Sequence, residues 1–181
     1  MTVNSRYFVD VFEDIVANVQ ESYDPTNEEK PYFMYGHILD VLKRLTIKDT
    51  DSTERTKKYP LIVLLQDFEE VSVERESYEY ELPEIKILII TDTNPSYTSD
   101  LRYTYSFKPI LYPIWQYLLG SIVRSNYLNI TSKADIEYSK YDRVFWGKEA
   151  IFGADGSAFN DYLDAIEIRI KNLKVKKYNN C

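Results

Sequence analysis

Asp161 and Asp164, the single histidine His37 and the hydroxyl of Ser121 are the side chains whose types invite a chemical role. Two carboxylates three residues apart, in Asn160-Asp161-Tyr162-Leu163-Asp164, can hold a divalent cation or divide acid and base work between them. No third ligand stands near them in sequence. The competing expectation is that they cap a turn and pair with Arg or Lys of a neighbouring strand. His37 has no second histidine and no nearby cysteine, so neither a paired-histidine metal site nor a Cys-His dyad can form around it. In Tyr35-Gly36-His37, at the start of a predicted helix, it is expected to cap or pack. Asp49, Asp51 and Glu54 are spaced somewhat like a calcium loop but lack its glycine and terminal glutamate. Ser121 matches no nucleophile elbow. No phosphate-cradling glycine motif occurs, and the chain holds only 5 glycines. Enzymatic function has no positive support and no cofactor is expected; a small metal-dependent enzyme using Asp161 and Asp164 is the minor alternative.

A stronger signal lies in how charge is distributed. Asp67 to Glu84 contains eight acids and one base, Arg75. Its local charge of −7 equals the formal charge of the whole chain, so the remainder is neutral on balance. From Ile166 to Lys177 there are five bases and one acid. In the acidic segment Val71 and Val73 share one side with Arg75, Glu79 and Glu81, while Glu74 and Glu76 share the other with Tyr78 and Tyr80. Burying either side would bury unpaired carboxylates, which is costly. The expectation is a β-ribbon over about residues 67–84, its base in a sheet and its tip projecting. Such a ribbon and the basic strand are complementary patches, and a head-to-tail ring needs two different patches on each subunit. The predicted interface residues are Glu74, Glu76, Tyr78, Glu79, Tyr80, Arg169, Lys171 and Lys174. Tyrosine, present 17 times, suits interfaces because a rigid amphipathic ring supplies area and one hydrogen bond.

These groups must be held by a regular framework. Phe8, Val11, Phe12, Ile15, Val16 and Val19 recur at three- and four-residue steps and predict an amphipathic helix over Ser5 to Val19. A shorter helix is expected over Gly36 to Leu45, and a third from Pro109 to Ser125, its start left open by Pro113. Leu61 to Leu65 and Ile85 to Ile90 are nearly continuous apolar runs, the signature of central strands covered on both faces. Tyr138 to Trp146 is expected as a strand. Ile166, Ile168 and Ile170 alternate with Glu167, Arg169 and Lys171 before the apolar parity switches to Leu173 and Val175, which predicts a β-bulge near Lys171-Asn172.

At 181 residues and 21.4 kDa there is room for a single domain, large enough to fold without disulfide or metal staples. The fold class is α+β, a mostly antiparallel sheet flanked by two or three helices with a long β-hairpin arm. A pI near 4.9 argues against wrapping nucleic acid, which requires clustered Lys and Arg. Cys181 is the only cysteine, so no intrachain disulfide forms. The N-terminal residues lack the pattern of a signal peptide, and no apolar run approaches the roughly 20 residues that span a bilayer, so synthesis in a reducing cytosol is expected.

Several blocks together resemble structural proteins of tailed bacteriophages, especially crAss-like phages: Tyr35-Gly36-His37; Lys58-Tyr59-Pro60-Leu61-Ile62 with Asp67-Phe68; Arg102-Tyr103; Phe107 to Pro113; Val144-Phe145-Trp146-Gly147; and Asn160 to Ile168. The resemblance spans about residues 33 to 170. The order of elements also looks like that of tail-terminator or tail-completion proteins. It implies a virion component made in the host cytoplasm, a homo-oligomeric ring in the neck. Twelvefold symmetry is the first expectation and sixfold the second. The ring would contact connector, portal-side and tail proteins, with DNA passing through unbound. A tail-tube or hub subunit is the alternative of the same class.

Overall fold

The computed structural model describes residues 7–23, 30–48, 57–72, 79–146 and 161–176. It is an α+β arrangement built on one six-stranded mixed sheet with helices on both faces. The strand order is β1 (Tyr32–Gly36), β2 (Leu61–Leu65), β4 (Tyr80–Asp92), β6 (Leu163–Val175) and β5 (Glu137–Trp146), with β3 (Val71–Ser72) also paired to β4. Every pairing is antiparallel except β1 with β2, which are parallel and joined through α2 (Ile38–Lys48).

The two apolar runs lie where their lack of alternation puts them. Ile62, Leu64, Ile87, Ile89, Ile166 and Ile168 pack on one face beneath α1 (Phe8–Tyr23) and a long helical rod. Leu61, Val63, Leu88, Ile90 and Ala165 pack on the other beneath Val41, Leu42 and Leu45 of α2. Strands β2, β4 and β6 are therefore the interior of a three-layer stack, and each fully buried Ile or Leu contributes about 1.5–3 kcal/mol of hydrophobic stabilisation. Among the described residues no helix is long and apolar enough to cross a membrane.

The rod runs without interruption from α3 (Ser99–Arg102) through a π-helical stretch (Tyr103–Leu111) into α4 (Tyr112–Arg124), with right-handed helical dihedrals at both junctions. Pro109 supplies the reason for the wide winding. A proline has no N–H to donate, and its ring crowds the carbonyl four residues back; opening the turn by one residue relieves that contact. Pro113 falls in the first turn of α4. The third helix thus begins ten residues before its expected start at Pro109, because neither proline breaks it.

The ribbon departs most from expectation. Val71–Ser72 pairs with Tyr80 and Glu81, and the tip, residues 73–78, lies outside the described residues. From Tyr80 onward the second leg lies within the sheet, where β4 pairs with this chain's own β6, Tyr80 with Val175 and Glu84 with Lys171. Tyr80 is only 8 % exposed and belongs to the core. The physical reason is a reversal of facing that both strands share. Asn172 adopts a left-handed φ of 54° between the Leu82–Leu173 and Glu84–Lys171 pairs, while one register is kept throughout. Pro83 stands at the matching position of β4. Tyr80 and Leu82 are thereby turned onto the same core as Ile85 and Ile87, and Glu81 faces away. The β-bulge expected near Lys171-Asn172 is not there: the register with β4 is unbroken, and the switch of apolar parity comes from the left-handed Asn172 opposite Pro83.

Candidate functional site

Four stretches distant in sequence meet at the end of the sheet where β4 finishes and β6 begins. Asp161 Oδ2 accepts hydrogen bonds from Lys58 Nζ at 2.5 Å and from the Tyr59 hydroxyl at 2.8 Å. Three residues on, Asp164 Oδ1 accepts from Arg102 NH1 at 2.7 Å, with Arg102 3 % and Asp164 0 % exposed. The guanidinium also donates to Tyr97 O, Asn94 O and Thr93 Oγ1. Its central carbon sits 3.8 Å from the Phe145 ring centroid, a cation–π contact. Phe145 packs edge-on to Tyr162, and Trp146 pairs with Leu163. Among the described residues Asp164 Oδ2 is buried without a hydrogen-bond partner.

The two aspartates do not converge on a common point. Each takes a cation of its own, Lys58 for one and Arg102 for the other. The pairing expected with basic residues is present, but the partners come from the segment before β2 and from the end of α3, not from a neighbouring strand. A charge this deeply buried is tolerated only when paired and hydrogen-bonded. The cluster is therefore built to hold elements together. Lys58 and Arg102 stand out in the sequence only as members of the blocks Lys58 to Ile62 and Arg102-Tyr103; no local pattern relates either to an aspartate.

At the opposite end of the sheet His37 follows β1 and starts α2. Its Nδ1 accepts from the Leu39 N–H at 3.3 Å, and its carbonyl accepts from Asp40 and Val41. This is the capping role expected of it. His37, Ile38, Leu65, Gln66, Asp67 and Lys86 line an open cleft of about 480 Å³. Lys86 donates to Asp67 Oδ2 at 2.7 Å, and that hydrogen bond with the ammonium charge holds the Asp67 carboxyl below the usual range. Asp49, Asp51 and Glu54 lie outside the described residues.

Of the predicted interface residues, Glu74, Glu76 and Tyr78 also lie outside the described residues. Glu79 donates its backbone N–H to Val175 O, and Tyr80 is buried with its hydroxyl pKa pushed up by desolvation. The basic strand β6 is not an edge but a central strand between β4 and β5. Lys174 stands opposite Glu81 and Lys171 opposite Glu84, so acidic and basic segments are neighbours within one chain. Arg169 and Arg143 both bond Glu167, at 2.7 and 3.0 Å, and both guanidiniums lie over the Tyr141 ring. Burial pushes Glu167 up, but the hydrogen bonds and charges of the two arginines outweigh it and hold the carboxyl below its ordinary value.

The surface that sequence reasoning did not single out runs along β5. Trp115 of α4 packs on Tyr138 at 5.0 Å, Tyr112 donates to Asp142 Oδ2 at 2.7 Å, and Lys140 sits over the Tyr112 ring while bonding Asp142. Burial and that hydrogen bond push the Tyr112 hydroxyl up to about 12. Tyr103, Tyr138, Tyr141 and Val144 remain exposed along this side. No family model, curated protein or solved structure matches the chain.

Proposed function

We propose that the chain is a structural subunit of the neck of a tailed bacteriophage, assembling with copies of itself into a ring that joins portal-side proteins to the tail around the DNA channel. One observation carries the reading. Lys58-Tyr59, Arg102, Phe145-Trp146 and Asp161 to Asp164 come from four of the blocks that resemble structural proteins of tailed phages, and the fold brings them to one end of the sheet, with Lys58, Arg102, Trp146, Leu163 and Asp164 buried. The likeness thus falls on residues that determine the fold and not on scattered surface positions. Exposed tyrosines and a sheet whose two end strands, β1 and β5, are unlike suit a subunit that must meet neighbours on more than one side. In this proposal β6 offers side chains to a neighbour, since its backbone is already paired on both sides.

The test is imaging of purified virions with the chain labelled. Label at the junction of head and tail supports the reading; label along the tail favours a tube or hub subunit, and a virion without the chain overturns it. A second arm reverses charge at Glu74, Glu76 and Glu79. Loss of ring assembly with a folded monomer assigns the subunit contact to the acidic segment, and unchanged assembly removes that segment from it.

A further inference from the structure

The sheet ends at β5, a ten-residue strand paired on one side only. Among the described residues no backbone N–H or C=O of Glu137–Trp146 bonds anything beyond β6. The other end strand, β1, is half as long and has its Tyr35 carbonyl approached by Arg44. A long open edge is a template for another strand, and proteins ordinarily blunt it. Here the strand carries charges of both signs, Glu137, Lys140, Asp142 and Arg143, interleaved with exposed apolar side chains: Tyr138 at 44 % on the face toward α4 and Tyr141 at 42 % on the face toward α2, with Val144 at 53 % beyond them.

We infer that β5 joins β5 of a second copy, antiparallel about a two-fold axis at Tyr141. The sequence of the edge selects this register. With Tyr141 on the axis, Lys140 stands opposite Asp142 of the second copy. Ser139 then faces its Arg143. The Lys140–Asp142 pair is attractive and Tyr141 meets its own copy, and the symmetry forms each off-axis pair twice. Moving the axis to Lys140, Asp142 or Arg143 sets that charge against its own copy. Moving it to Ser139 places Lys140 against Tyr138. The regular edge ends at Arg143, where the irregularity between Arg143 and Trp146 begins, with Phe145 at a φ of 50°; the paired stretch is therefore Ser139 to Arg143. A two-fold contact closes on itself and cannot repeat around a polar ring. It therefore pairs free chains, or two rings, and stands apart from the proposed place in the virion.

The experiment uses the full chain, with native mass spectrometry and light scattering across a concentration series. A dimer is expected. Lys140→Asp brings like charges together twice and raises the dimer dissociation constant on the order of tenfold, and the double reversal Lys140→Asp with Asp142→Lys restores it. In a Cys181→Ser background, Tyr141→Cys cross-links the pair under mild oxidation, because facing residues of antiparallel strands have Cα atoms about 4.5–5.5 Å apart, within disulfide reach. Glu13→Cys, on the exposed side of α1, gives no such product. A chain monomeric throughout the series overturns the inference. So does a dimer indifferent to Lys140→Asp, or one that Glu13→Cys cross-links as readily as Tyr141→Cys.

Discussion

Arg102 donates to Asp164 across 62 positions of sequence, at 2.7 Å and shut away from solvent. Arg102 is the last residue of α3 and stands immediately before the π-helical stretch; Asp164 is the second residue of β6, opposite Thr91 at the end of β4. Their bond pins the start of the helical rod to the two central strands. The far end of the π-helical stretch is pinned by Tyr112 on Asp142 of β5. The widened turn that Pro109 demands is thus held at both ends by polar contacts to different strands.

Removing one partner of the buried pair leaves an uncompensated charge in the interior, which typically costs about 3–5 kcal/mol. Asp164→Ala and Arg102→Ala are each expected to lose this much in denaturant unfolding. The double replacement Arg102→Met with Asp164→Leu is expected to lose less than either single one, since no charge is then stranded. A double variant as unstable as the sum of the two would show that the pair is not the coupled unit described.

Asp161 is more open than Asp164, with its side chain 24 % exposed, so its ion pair with Lys58 is worth less. Asp161→Asn is expected to cost about 1.5–3 kcal/mol, the scale of hydrogen bonds to a charged group. Because the two aspartates serve different cations, neither Asp161→Asn nor Asp164→Asn is expected to alter any binding of Mg²⁺ or Mn²⁺ by titration calorimetry. Tight binding of either ion, abolished by one of these changes, would favour the metal-dependent enzyme.

The framework was legible where burial alone dictates pattern. Leu61 to Leu65 and Ile85 to Ile90 lose their alternation because both sheet faces are covered, and the α1 stripe follows helical geometry. What stayed hidden depends on distant partners. β1 is five residues with no distinctive period, recognisable only by its parallel partner β2. Tyr80 appeared unburiable because its alternation partners are Glu74 and Glu76, yet the reversal at Pro83 and Asn172 turns it inward. Lys58 and Asp161 lie 103 positions apart, and no local pattern relates them.

His37 gives α2 a cap through Nδ1, so the consequence of replacing it is local. His37→Ala is expected to destabilise the protein by about 0.5–1 kcal/mol, and His37→Asn, which restores a good capping acceptor, to recover most of the loss. Thermal unfolding of the two variants checks this. An equal loss for both would place the role of His37 outside helix capping.

Glu167 predicts the acid dependence of stability on the exposed part of the sheet. Its carboxyl is depressed in the folded state by Arg169 and Arg143 despite the opposing effect of burial. A depressed carboxyl contributes stability that is present above its unfolded pKa and is lost as pH falls through the lower folded value. The arginines are themselves partly open to solvent, at 38 % and 42 %, so screening limits the contribution to about 1 kcal/mol. Glu167→Gln removes the titrating group. Its destabilisation relative to the native chain is expected to be full at neutral pH and to shrink toward zero below the folded pKa. Unfolding free energies measured at several pH values from neutral into the acid range test the sign directly. A gap between native and variant chains that widens on acidification would show that Glu167 is not held ionised by its two arginines.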